Sequence, residues 1–110
     1  MKGNIVRNEE RFVMRYNSVL DLHTHTVASG HAYCSLREMA KAASEKGLEV
    51  LGITEHAPSM PGTCHKFYFN NLKVVPREMY GIQLLLGSEV NILDAQGTVD
   101  LAQRTLERMD

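Results

Sequence analysis

A chain of 110 residues, 44% hydrophobic and 23% charged, has the composition of an ordinary globular domain rather than a disordered, collagen-like or membrane-embedded one. A single domain of this length buries roughly two-thirds of its unfolded surface, enough for one modest core. A formal net charge of −1 with no polybasic run gives no reason to expect nucleic acid or an anionic membrane as partner.

Residues 1–17 are polar and aperiodic, and are expected to form a poorly ordered or loosely docked extension ahead of a domain at 18–110. They contain charges but not the apolar stretch of a secretory signal. Nothing further along approaches the ~20 apolar residues of a membrane span. Two cysteines, Cys34 and Cys64, are too few for a disulfide scaffold. Free thiols and no export signal point to a reducing cytoplasm. Met14 is an alternative start to Met1, because the first strand-like segment begins just after it.

"SVLDLHTH" (18–25) reads as a short buried strand, with Val19, Leu20 and Leu22 supplying its apolar contacts. A turn-rich stretch, "TVASGHAYC", follows. Ser35 then opens a helix: "SLRE" fits the capping box, in which the Ser35 hydroxyl and the Glu38 carboxylate satisfy each other's backbone donors. Leu36, Met39, Ala40 and Ala43 form one apolar stripe at i, i+3, i+4 and i+7, and Gly47 suits the left-handed position past the helix end. "LEVLGIT" (48–54) is a second strand, with Pro58 and Pro61 punctuating the loop beyond it. Residues 62–80 hold Phe67, Tyr68, Phe69 and Tyr80 without a legible element. "IQLLLGSEVNIL" (82–93) is a third strand, "DAQG" (94–97) a turn, and "TVDLAQRTLERMD" (98–110) a helix with Leu101 and Leu106 inward. Strands alternating with helices predict an α/β fold with parallel pairing. Parallel sheets are usually covered on both faces. Three strands and two helices cannot readily do that, so the chain is expected to be part of something larger.

The chemistry lies at the strand ends. Side chains alternate along a strand, so Asp21, His23 and His25 are expected on one face, with the two histidine Cα atoms roughly 6.6 Å apart. Two imidazole nitrogens at that spacing can converge on one cation, with Asp21 behind to orient a ligand. An isolated H-x-H is as readily a hydrogen-bonded surface pair. The apolar run before this one places it at a strand terminus, where α/β folds put their sites. His31 follows on a Gly- and Ser-containing loop, with Ser29 and Gly30 serving the turn. His56 ends the second strand beside Glu55, and Glu89 ends the third after "LLL", where a carboxylate is costly unless it meets a cation or a good donor set. Gly87 is placed to relieve crowding there, and Asn91 to hydrogen-bond nearby. Three successive strands thus each finish with a metal-competent residue.

"DLHTHTVASGHAY", "GITEHAP" and "GSEVNI" together resemble the PHP (polymerase and histidinol phosphatase) family, in its stand-alone bacterial phosphatase branch with a trinuclear metal site. The similarity runs from about Val19 to Asp110. The resemblance implies the N-terminal portion of a distorted (β/α)7 barrel with metals at the C-terminal rim of its strands. It implies that His23 and His25 bind one metal, that His31 and His56 contribute to a second, and that Glu89 bridges the first to a third. Zinc is the first expectation, with manganese or iron as alternatives. The implied activity is hydrolysis of a small phosphate monoester by metal-activated water.

Glu55 stands where the family often has aspartate, and Cys34 where serine is frequent. The further histidines and the Asp-x-His found late in the family's barrel have no counterpart, since no histidine follows His65. His65 and Lys66, on a loop near the expected mouth, are candidate substrate contacts. Two other readings stand beside this one: a truncated, catalytically incomplete metal-binding fragment, and a metallohydrolase of the amidohydrolase kind, which also begins with H-x-H on its first strand. The sequence leaves substrate and oligomeric state open.

Overall fold

Four strands, β1 (Leu20–Thr24), β2 (Val50–His56), β3 (Glu78–Met79) and β4 (Ile82–Glu89), form one sheet in the order β1-β2-β4-β3 in the computed structural model. It describes residues 16–110. The expected disorder of the N-terminal extension, for 1–15, and the choice between Met1 and Met14 therefore lie outside the described residues. β1 pairs parallel with β2, and β2 parallel with β4, as the alternation of strands and helix predicts. β3 is the exception. It runs antiparallel to β4 across a two-residue turn, Tyr80 and Gly81, with φ of 52° and 77°. Positive φ at both turn residues matches the right-handed twist of a tight hairpin.

One face of the sheet carries the core. Period-two alternation buries Ile82, Leu84 and Leu86 on β4, and Leu51, Ile53 and Glu55 on β2. Helix α1 (Leu36–Glu45) lays Ala40 and Ala43 into this core, flanked by Leu36 and Met39. Both hydrogen bonds of the capping box at Ser35 and Glu38 are present, and Gly47 has a φ of 83° just past the helix end. Phe69 of a short helix α2 (Lys66–Asn70), Leu72 of the 3-10 turn after it, Ala57 and Leu101 complete the cluster. On the opposite face Leu22, Gly52, Thr54, Leu85 and Gly87 line an open groove of about 170 Å³.

Three expectations need correction. β1 is not buried: Val19, Leu20 and Leu22 are 43–50% exposed, because β1 is the sheet edge and no described element covers its outer side. The third strand stops at Glu89 rather than running on to Leu93. Past it, the Asp100 carboxylate takes the backbone N–H of Asn91, and Ile92 pairs with Val99 in an isolated antiparallel bridge. That bridge occupies the start of the expected C-terminal helix, so only a single turn, α3 (Gln103–Leu106), forms, with no side-chain cap at Ala102. Leu101 is buried ahead of this turn instead of within it. The turn at 94–97 forms as expected, with Asp94 Oδ1 accepting the N–H groups of Gln96 and Thr98. No helix among the described residues is long and apolar enough to cross a membrane.

Candidate metal centre

The register of the sheet assembles the site. His56 pairs directly with Glu89 across β2 and β4, so two chemically active residues sit side by side at the C-terminal ends of parallel strands. β1 reaches the same rim through an irregularity: Asp21 pairs with Leu51 but Thr24 with Ile53, so β1 carries one extra residue between these points. The simple alternation expected for Asp21, His23 and His25 is broken there. Asp21 Oδ1 accepts the backbone N–H of His23 at 3.1 Å. Asp21 thus hydrogen-bonds backbone at the bulge and not an imidazole.

Both histidines of the H-x-H pair reach Glu89. His23 Nε2 lies 3.0 Å and His25 Nε2 3.1 Å from Glu89 Oε2, with His56 Nδ1 at 3.5 Å. One ligand atom each from His23, His25 and Glu89 fall within 4.8 Å of one another, close enough to hold a single cation. His25 stacks on His56 with ring centroids 4.3 Å apart, and His31 meets both edge-on at 5.6 and 4.6 Å. The structure therefore brings all five expected ligands to one rim: His23, His56 and Glu89 from three strands, and His25 and His31 from the segment that follows β1. Burial lowers the pKa of His25, and the neighbouring His56 adds to the effect. At Glu89 desolvation works against the charge, but the hydrogen bond from His23 and the imidazoles of His56, His23 and His25 outweigh it, so its carboxyl is held below the usual range. A His25 imidazole biased neutral beside an ionised Glu89 offers a lone pair and a carboxylate to a cation.

A buried polar frame stands behind these groups. Glu55 is 1% exposed at a position that period two assigns to the core. Its Oε1 accepts from Thr26 N–H at 2.7 Å and Ser29 Oγ at 2.9 Å, and its Oε2 from the Thr26 and Tyr68 hydroxyls. Ser29 is fully buried, and its Oγ also meets His25 Nδ1 at 3.2 Å and the His56 N–H at 2.9 Å. Through Ser29, Glu55 thus reaches the His25 imidazole and the His56 backbone. Burial, then the charge of Glu55, pushes the Tyr68 phenol well above its ordinary range. Thr26, Ser29 and Tyr68 carried no sequence signal beyond turn or packing. A buried carboxylate needs several donors, and that was the one available clue that polar residues near Glu55 would be recruited.

The His31 loop is seated by a close backbone approach: a Cβ on Gly30, whose φ is 82°, would stand 1.9 Å from the carbonyl oxygen of Gly62. Gly87, by contrast, relieves no crowding, since a Cβ there would meet only a Thr54 methyl at 3.7 Å. Asn91 does hydrogen-bond nearby, to Asp100 and toward the Ala57 carbonyl. His65 and Lys66 are not drawn into the imidazole cluster. His65 caps α2, its Nδ1 accepting the Phe67 N–H at 3.1 Å, and Lys66 is the first residue of that helix, exposed to solvent. Cys34 is exposed and Cys64 half-buried, both free, and burial raises the Cys64 pKa.

Residues 21–108, which include every residue of this histidine-rich rim, match the PHP domain. The chain belongs to the PHP family. It is 56% identical over 97 residues to a probable phosphatase of Clostridium novyi, 50% over 97 to one of Clostridium botulinum, and 48% over 97 to one of Caldanaerobacter subterraneus. Each match takes in 88% of this chain but only 38–39% of the relative. The chain thus spans about two fifths of the length of the curated relatives it matches.

Proposed function

We propose that this chain forms the N-terminal portion of a distorted (β/α)7 PHP barrel, whose whole is a metal-dependent phosphoesterase acting on a small phosphate monoester. The observation that carries the reading is the meeting of His23, His25, His31, His56 and Glu89 at one sheet rim. The donor set fits a divalent cation: three imidazoles lie within 3.5 Å of one carboxylate oxygen, and among the described residues no lysine or arginine pairs with it. His23, His25 and Glu89 would hold one ion, His31 and His56 would contribute to a second, and Glu89 would link the first to a third. Imidazole with carboxylate favours zinc and accommodates manganese or iron. Bound there, such ions supply Lewis-acid stabilisation of phosphoryl charge and activation of water near neutral pH.

The chain's own residues prepare that rim. Glu89 faces His23, His25 and His56 with one carboxylate oxygen. His25 stacks on His56, and Ser29 holds the His25 ring and accepts the His56 backbone N–H from behind. His65 and Lys66 lie on the segment after β2, where a cationic side chain suits a phosphorylated substrate. Free thiols at Cys34 and Cys64 fit a reducing cytoplasm.

The test is metal content and turnover together. The purified chain is expected to retain stoichiometric zinc or manganese by elemental analysis, and Glu89→Gln to lose most of it. Wild-type protein that takes up neither metal after reconstitution sinks the proposal. A second reading keeps metal binding without turnover for the 110-residue chain alone, favoured by the openness of a rim where His23 is 63% and Glu89 40% exposed. Hydrolysis of p-nitrophenyl phosphate by the metal-loaded chain would exclude it.

A further inference from the structure

We propose that Glu55 and Ser29 are positioning residues that fix His25 in the tautomer with its proton on Nδ1, leaving the Nε2 lone pair facing Glu89. The tautomer follows from hydrogen-bond polarity; its purpose, presenting a lone pair to a cation, rests on the metal-centre reading above.

A serine hydroxyl has one proton and two lone pairs. At Ser29 the first lone pair is taken by the His56 backbone N–H, a donor that cannot reverse, at 2.9 Å. The proton goes to Glu55 Oε1, 2.9 Å away, an oxygen that already accepts the Thr26 N–H at 2.7 Å and so serves as an acceptor. One lone pair remains for His25 Nδ1 at 3.2 Å, and it can be satisfied only by an N–H. The other ring nitrogen of His25 then carries no proton. It lies 3.1 Å from Glu89 Oε2. Two acceptors at that separation repel unless something positive stands between them, which is the condition a cation relieves.

The relay is held at its far end. The Thr26 hydroxyl and the Tyr68 hydroxyl both reach Glu55 Oε2, so the carboxylate cannot swing away from Ser29. Ser29 is itself fully buried, and water does not compete for its Oγ. A ring N–H backed by an acceptor also increases the basicity of the opposite nitrogen, and loss of such a partner typically lowers metal affinity about 10–100-fold.

The test reads the proton directly. Long-range ¹H–¹⁵N correlation spectra of the metal-free chain at about pH 8, above the ordinary imidazole range, report which nitrogen of each histidine is protonated. His25 is expected as the Nδ1–H form in wild type. Ser29→Ala should shift it toward the Nε2–H form, which can donate to Glu89, and should weaken zinc binding about 10–100-fold. Glu55→Gln is the conservative variant: its amide oxygen can occupy the Oε1 position and retain the Nδ1–H form, whereas Glu55→Ala should lose it. A wild-type His25 with its proton on Nε2 overturns the proposal without any variant. So does a folded Ser29→Ala protein with unchanged tautomer and unchanged zinc affinity. An Nδ1–H form in a chain that takes up no metal supports the positioning role while sinking the phosphoesterase reading, so the two failures are distinguishable.

Discussion

Asp100 fastens two loops with one carboxylate. It accepts from the Ser59 N–H and hydroxyl at 2.9 and 2.7 Å, and from the Asn91 N–H and side-chain amide, both at 2.8 Å. Desolvation opposes its charge, but these donors from Asn91 and Ser59 outweigh it and hold the Asp100 carboxyl well below the usual aspartate range. A depressed folded-state value means that the stabilisation is present above the unfolded value of about 3.9 and is lost as pH falls through the folded one. Denaturant melts between pH 6 and pH 3 should show stability declining below about pH 4. Asp100→Asn should be less stable at pH 6 and show a shallower decline; an unchanged slope would separate Asp100 from the acid response. Asp100 was not legible in the sequence, and neither were Ser29, Thr26 and Tyr68. Each is a lone polar residue whose partner lies far along the chain, as Ser29 does from Glu55, and no local pattern records such a contact. The imidazoles were legible because an apolar strand followed by a metal-competent residue is a local pattern, and it occurs three times.

Among the elements, α1 carried the fullest set of local signals, and it forms as those signals predict. Its capping box rests on two hydrogen bonds, Ser35 N–H to Glu38 Oε1 and Glu38 N–H to Ser35 Oγ, so Ser35→Ala should cost about 1 kcal/mol, measurable as a lower denaturation midpoint at unchanged m-value. β1 behaves differently. Its path was legible, but its burial was not, because burial depends on what lies beside an edge strand and not on the strand's own residues. The seat of β1 depends on Gly52: a Cβ there would lie 2.8 Å from the Leu22 Cα and carbonyl oxygen. Gly52→Ala should push β1 from β2 and separate His23 and His25 from Glu89. The expected result is weaker metal uptake with the α1 amide signals largely in place, and metal uptake equal to wild type would count against it. The hairpin at Tyr80 and Gly81 escaped the sequence reading because β3 is too short for alternation to show. The single turn of α3 was overestimated because the bridge between Ile92 and Val99 overrode helical propensity at its start.

At the scale of the whole molecule, the α/β class and the parallel pairing of β1, β2 and β4 could be read in advance, since strand–helix–strand connections leave few alternatives. If the rim binds a divalent cation in the folded state alone, mass action stabilises the fold by about 2.7 kcal/mol at a hundredfold excess over the dissociation constant. The melting temperature should therefore climb with zinc concentration and return to the metal-free value on chelation. A melting temperature indifferent to zinc would contradict a preformed site. The layout also divides the molecule's response to its ionic surroundings. Among the described residues every hydrogen-bond donor to the Glu55 carboxylate is an uncharged hydroxyl or backbone amide, so screening by added salt has little to act upon inside that frame. At the rim, Glu89 faces its imidazoles in partial contact with solvent, and there mobile ions compete directly. High salt should thus loosen the mouth while leaving its foundation intact.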